Sequence, residues 1–217
     1  DSEELARHAE SVGVDAIAAI PPIYFRLPEA SIADYWNDIS AAALNTDFFI
    51  YNIPQLAGVA LTPALFRKML ENPRVVGVKN SSMPVQDIEI FKSIGGEDTI
   101  IYNGPDEQFV AGRLMGAAGG IGGTYAAMPE LFLRADRAVK EGDFDTAQKI
   151  QFDINHNICA FVSCEGNMYA VIKAVLEELH GLEFGGVRKP LGNLTEADKA
   201  RIPEVAAQVK ASIERWS

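Results

Sequence analysis

Lys79 closes the apolar run VVGV, a position where a lysine sits badly unless its amine emerges into a pocket. Burial disfavours the charged form of an amine, and an amine kept partly neutral can attack a ketone. The resulting iminium is an electron sink for a neighbouring carbanion. The competing reading is a strand-end lysine that reaches solvent or pairs with a carboxylate. Tyr51 stands near the end of the preceding apolar run, DFFIYNI, which makes it a lateral neighbour of Lys79 if the two runs are adjacent parallel strands. From there a phenol can pass a proton to or from a substrate oxygen, although a strand tyrosine taken alone reads as core or rim packing. Asp106 and Glu107 stand between a strand run and a helical pattern. They suit hydrogen bonds from the hydroxyls of a sugar acid, or, for Asp106, the cap of the following helix.

Such groups work only if the fold gathers them. Short apolar runs at 14–20, 47–53, 74–79, 99–104 and 118–123 alternate with helical patterns such as IADYWNDISAAAL, PALFRKML and VQDIEIFKSI. The runs are nearly continuous in apolar residues, which predicts parallel strands covered on both faces. The repeated strand-helix unit suits a doubly wound sheet or a (β/α)8 barrel. In barrel enzymes the reactive groups stand at the C-terminal ends of strands. Those ends are PPIYF with Tyr24, YNIP with Tyr51, GVKNSS with Lys79 and Ser81, YNGPDE with Gly104, Asp106 and Glu107, and GGIGGTY with Gly123.

The run GGIGG lacks the G-x-G-x-x-G spacing, and no acidic residue follows it at a strand end, so dinucleotide binding is disfavoured. A close-packed barrel strand explains the same glycines. From about residue 129 the strands stop and helical segments follow. Five strands do not close a barrel. The expected architecture is therefore an α/β, (β/α)8 TIM barrel, N-terminally incomplete, with five βα units over 1–140 and a C-terminal helical extension over 141–217.

Composition narrows the ligand. The net charge of -11 argues against nucleic acid or an anionic membrane surface as partner and favours a small molecule. The only cysteines, Cys159 and Cys164, lie five apart in a helical pattern, which predicts buried thiols without a disulfide and an intracellular, cytoplasmic setting. His8, His156 and His180 are scattered, so no metal is expected. No apolar run approaches membrane-spanning length. The opening DSEELARHAESVG reads as an acidic amphipathic helix without an initiator Met, compatible with processing or with a piece of a longer chain.

Taken together, PPIY, YNIPQLAGV, GVKNSS, YNGPDE and GGIGGTYAAMPE resemble the N-acetylneuraminate lyase and dihydrodipicolinate synthase family of Schiff-base (β/α)8 enzymes. The separations of 27 residues from Tyr24 to Tyr51 and 28 from Tyr51 to Lys79 suit that family's order of site residues. The resemblance implies that Lys79 forms the Schiff base, that Tyr51 shuttles protons, and that Tyr24 completes the relay while reaching toward a neighbouring subunit. It thereby implies a homo-oligomer, commonly a tetramer built from dimers. Ser81 takes the place of a substrate-binding Thr or Ser, and Gly104, Asp106 and Glu107 match residues that contact sugar hydroxyls. Gly123 falls where many sialate lyases place a substrate-touching serine, which leaves the exact sugar open.

The synthase branch carries an arginine shortly after its YN-P motif, where this chain has Gln55, Leu56, Ala57 and Gly58. The resemblance therefore points to the sialic-acid branch. The implied reaction is cleavage of N-acetylneuraminate to N-acetylmannosamine and pyruvate with no cofactor beyond the lysine imine. The rivals are another pyruvate-dependent aldolase or dehydratase acting on a 2-keto-3-deoxy sugar acid, and a non-catalytic barrel fragment or binding protein. The family's carboxylate-gripping Gly-Ser/Thr-Thr loop would fall upstream of residue 1, so little activity is expected of the 217 residues alone.

Overall fold

A computed structural model describes residues 1–217, which divide into two compact units. The first comprises Asp1–Pro105 and Ala111–Ile121; the second comprises Asp106–Val110 and Gly122–Ser217.

The first unit follows the strand-helix alternation of the sequence. Helix α1 (Ser2–Ser11) leads into β1 (Ala16–Ala19), α2 (Glu29–Ala41), β2 (Asp47–Asn52), α3 (Pro54–Ala57), α4 (Pro63–Met69), β3 (Val75–Asn80), α5 (Gln86–Gly95), β4 (Ile100–Asn103), α6 (Phe109–Leu114) and β5 (Gly119–Gly120). All pairings are parallel and the spatial order is β1-β2-β3-β4-β5, with no reversal. Because βα crossovers are right-handed, an unreversed order puts every connecting helix on the same face. This is the winding of a (β/α)8 barrel; a doubly wound sheet reverses order and is covered on both faces.

That winding corrects one expectation. Phe48, Ile50, Val78 and Ile101 are fully buried against Ile32 and Trp36 of α2, Phe66 and Met69 of α4 and Phe91 of α5. Each such side chain stabilises the fold by about 1.5–3 kcal/mol relative to exposure. Their alternating neighbours Phe49, Tyr51, Lys79 and Tyr102 point the other way and are only half-buried. On that second face Phe49, Tyr51, Lys79 and Tyr102 line a cavity.

The second unit is helical: α7 (Pro129–Glu141), α8 (Phe144–Val162), α9 (Met168–His180) and α10 (Glu196–Trp216) share one core with Phe109 and Val110. The helix starts are written in side chains. Asp143 accepts from the Thr146 amide, Asn167 from the Tyr169 amide and Thr195 from the Asp198 amide. Asp198 returns the bond to the Thr195 amide and also accepts from the amides of Glu165 and Gly166, fastening the start of α10 to the turn before α9.

Cys159 departs from the expected burial. The buried stripe of α8 runs through Ile150, Ile154, Ile158 and Phe161, and a residue one step from Ile158 leaves that stripe. Cys159 is exposed, Cys164 is half-buried, and neither forms a disulfide. No helix is long and apolar enough to cross a membrane.

Candidate active site

Strand register builds the centre of the site in the first unit. Tyr51 of β2 pairs with Lys79 of β3, and Lys79 pairs with Tyr102 of β4. Pleating alternates the faces, so register partners project to the same side. The Lys79 Nζ lies over the Tyr51 ring, 4.0 Å from its centroid. The rings of Phe49 and Tyr102 meet at 5.4 Å. Ala18, Phe49, Tyr51, Lys79, Tyr102 and Ile121 line a cavity of about 530 Å³ whose walls are mostly apolar. The sole cationic side chain in that lining is the lysine.

One residue beyond this row, on the opposite face, stands a row of buried asparagines: Asn52, Asn80 and Asn103. Asn52 donates to Asn80 at 2.7 Å and accepts from the Leu61 amide at 3.0 Å. Asn80 donates to Ser82, whose hydroxyl lies 2.7 Å from an Asp87 carboxylate oxygen. These bonds satisfy polar groups that burial would otherwise penalise and fix the ends of the strands that carry Tyr51 and Lys79.

Beyond the lysine the strand ladder continues into the loops. The Ser81 amide donates to the Asn52 carbonyl and the Gly104 amide to the Asn80 carbonyl, each at 2.7 Å. Gln55 donates from its side chain to the Ser81 carbonyl at 2.9 Å. Ser81 and Gly104 approach so closely that a Cβ at 104 would fall on the Ser81 hydroxyl, which explains the glycine.

The second unit holds the remaining candidates. Asp106 is buried, and its Oδ2 accepts from the Thr124 amide at 2.8 Å and the Thr124 hydroxyl at 2.6 Å. A Cβ at Gly122 would fall on the other carboxylate oxygen. Glu107 is exposed. Gly123 lies beside Tyr169, with the phenol oxygen 3.1 Å from where its Cβ would stand.

The structure therefore brings Tyr51 and Lys79 together, and Ser81 with Gly104. Tyr24 is not in the lining of the lysine cavity: its ring is 87% exposed and packs edge-on against Phe25 at 4.9 Å. Sequence reasoning overlooked Tyr102, Thr124 and Tyr169. Tyr102 could have been found, because it is the last aromatic residue of TIIYN, as Tyr51 is of FFIYN. Thr124 and Tyr169 carried no comparable signal. No group of three or more His, Cys, Asp and Glu side chains converges as a metal site would.

A sequentially wound parallel sheet with a lysine at the C-terminal end of one strand, beside a strand-end tyrosine, is the arrangement of a barrel-type enzyme scaffold, in which reactive groups stand at the strand ends. The chain belongs to the dihydrodipicolinate synthetase family, which it matches over residues 1–211. It is 62% identical over 209 residues to the N-acetylneuraminate lyase of Mediterraneibacter gnavus, an alignment that covers 96% of this chain and 66% of that protein. Among solved structures, it superposes with a TM-score of 0.98 and 59% identity on a catalytic lysine mutant of the Ruminococcus gnavus sialic acid aldolase, covering 99% of this chain and 70% of that one. CdNal from Clostridium difficile in complex with mannosamine gives a TM-score of 0.90 at 28% identity, over 95% of this chain and 70% of that one. The chain thus spans about two thirds of the length of these relatives.

Proposed function

We propose that this chain carries the Schiff-base centre of an aldolase that cleaves N-acetylneuraminate to N-acetylmannosamine and pyruvate. The observation that carries the reading is the placement of the Lys79 amine over the Tyr51 ring in a largely apolar cavity at the ends of β2 and β3. Its kinship with the M. gnavus lyase at 62% identity supports the choice of substrate.

The chemistry follows from those two side chains. The Lys79 amine adds through its lone pair to the ketone of the open-chain sugar acid, and loss of water leaves an iminium. The Tyr51 phenol oxygen relays the proton away from the hydroxyl on the β carbon. The bond between the α and β carbons breaks, its electron pair flows into the iminium, and the aldehyde N-acetylmannosamine departs. The enamine takes a proton at its α carbon, and water hydrolyses the pyruvate iminium to free the lysine. The iminium supplies the electron sink, so the steps call for neither a metal nor an organic cofactor.

In this reading Ser81, Gly104, Asp106, Glu107 and Gly123 contact the substrate, which membership of the family supports. A homo-oligomer, a tetramer built from dimers, fits Tyr24, whose exposed ring beside exposed Ile23 and Phe25 suits a neighbouring subunit. Two free cysteines support a cytoplasmic setting. The test is product analysis: incubation with N-acetylneuraminate should release pyruvate and N-acetylmannosamine in equal amounts. Release of pyruvate from 2-keto-3-deoxygluconate but not from N-acetylneuraminate would overturn the choice of sugar.

A further inference from the structure

Lys79 has a phenol as register partner on each side, and the steps derived above use only one of them. Tyr51 of β2 flanks it on one side and Tyr102 of β4 on the other. Adjacent strands lie about 4.8 Å apart. Both rings are thus one strand away from the lysine, on the same face of the sheet, and both line its cavity.

Tyr102 is held firmly in the wall of that cavity. Gly77, the register partner of Phe49, leaves β3 bare at this point, and a Cβ there would stand 2.8 Å from the Phe49 ring. Across that bare backbone the Phe49 ring reaches the Tyr102 ring, with centroids 5.4 Å apart. On its other side the Tyr102 ring lies beside Gly119, where a Cβ would be 3.7 Å from its Cδ1 and Cε1. The ring is packed from both sides, while its hydroxyl makes no hydrogen bond within the protein. A tyrosine among apolar walls usually finds a partner for its oxygen. Here a guest in the cavity would supply it.

An amine nucleophile has work for a second phenol. Addition of Lys79 to a ketone gives a carbinolamine, whose hydroxyl departs readily only when a proton reaches it. Cleavage requires the opposite transfer, removal of a proton from the hydroxyl on the β carbon, two carbons along the chain. Two hydroxyls so separated, one to be protonated and the other deprotonated, match two phenols on opposite sides of one amine.

We propose that Tyr102 is a second catalytic phenol, the acid that converts the Lys79 carbinolamine into the iminium. The nitrogen lone pair forms the C=N bond as the C–O bond breaks, and the departing hydroxyl takes the Tyr102 proton and leaves as water. In hydrolysis, water adds to the iminium carbon and returns a proton to the Tyr102 phenolate. Tyr51 keeps the cleavage step. This assignment rests on the Schiff-base reading above, and its test separates the two.

The experiment measures the initial rate at which pyruvate is trapped on Lys79, with reductant in excess, in wild type, Tyr102→Phe and Tyr51→Phe. Tyr102→Phe keeps the ring against Phe49 and should melt as wild type does, yet trap pyruvate about 100-fold more slowly, the lower worth of a positioned acid. Tyr51→Phe should trap at close to the wild-type rate. A wild-type rate in Tyr102→Phe would overturn the assignment, and so would equal slowing in both variants. In Tyr102→Ala, added phenol should restore part of the rate and toluene should not, because only phenol carries a transferable proton. Rescue no better with phenol than with toluene would mark the ring as packing and overturn the assignment. Folded wild type that acquires no adduct on Lys79 would remove the Schiff-base reading itself, and this assignment with it.

Discussion

The Lys79 amine lies over the face of the Tyr51 ring, 4.0 Å from its centroid, and makes no hydrogen bond to the phenol oxygen. The ring face packs the amine and the phenol oxygen stands apart from it, so one substitution can separate the two. Tyr51→Phe should keep the face and lose the oxygen. Pyruvate should still be trapped on Lys79 by borohydride, while kcat for cleavage falls about 100- to 10,000-fold, the usual worth of a positioned acid or base. Parallel loss of trapping would show that the phenol acts in imine formation as well.

Gly77 tests the strand spacing that sets the register. A Cβ there would fall on the Ile100 carbonyl oxygen of β4, and backbone cannot swing aside as a side chain can. Gly77→Ala should destabilise the fold by about 1–3 kcal/mol, as overpacking does, read as a lower Tm. An unchanged melt would mean that β3 and β4 can separate without cost.

Thr124→Val keeps shape but deletes the 2.6 Å hydroxyl bond to Asp106 and retains the bond from the Thr124 amide. Removing a hydrogen bond to a buried carboxylate costs about 1.5–3 kcal/mol. The melting temperature should fall, and KM for the sugar acid should rise while trapping on Lys79 is retained. A normal KM would detach Asp106 from substrate binding.

Acid stability should carry the signature of Asp198. The Thr195 amide first, and then the amides of Glu165 and Gly166, hold its carboxyl down at about 2 against the opposing effect of desolvation. An aspartate in an unfolded chain titrates near 3.9. With the folded value depressed, the stabilisation is present above about pH 4 and is lost as pH falls through about 2. Asp198→Asn should be less stable than wild type at neutral pH, with the gap closing as pH falls from 4 to 2 in equilibrium unfolding. A gap of constant size would exclude the charge as its source.

The row around Lys79 was legible because the runs of β2 and β3 carry, at or near their ends, a tyrosine and a lysine that a buried strand would not otherwise carry. Lys79 after VVGV is the clearest case, and register then pairs it with Tyr51. The same reasoning extends to Tyr102. Coverage of the sheet was misread because a continuous apolar run does not say what lies on its second face; here Phe49 and Tyr102 line a cavity. Short α3 escaped notice because four residues hold no periodicity, only Pro54 at its start. Thr124 and Tyr169 were illegible for a different reason. Their partners, Asp106 and Gly123, lie 18 and 46 residues away in sequence, and a glycine's use as space shows only once its neighbour is placed.

The most direct test of the central claim is mass spectrometry after incubation with pyruvate and borohydride, followed by peptide mapping. Reduction traps only an amine that has formed an imine. The account predicts a single pyruvate-sized adduct on Lys79, absent from Lys79→Ala. A folded protein that acquires no adduct, or acquires it on another lysine and keeps it in Lys79→Ala, would contradict the account.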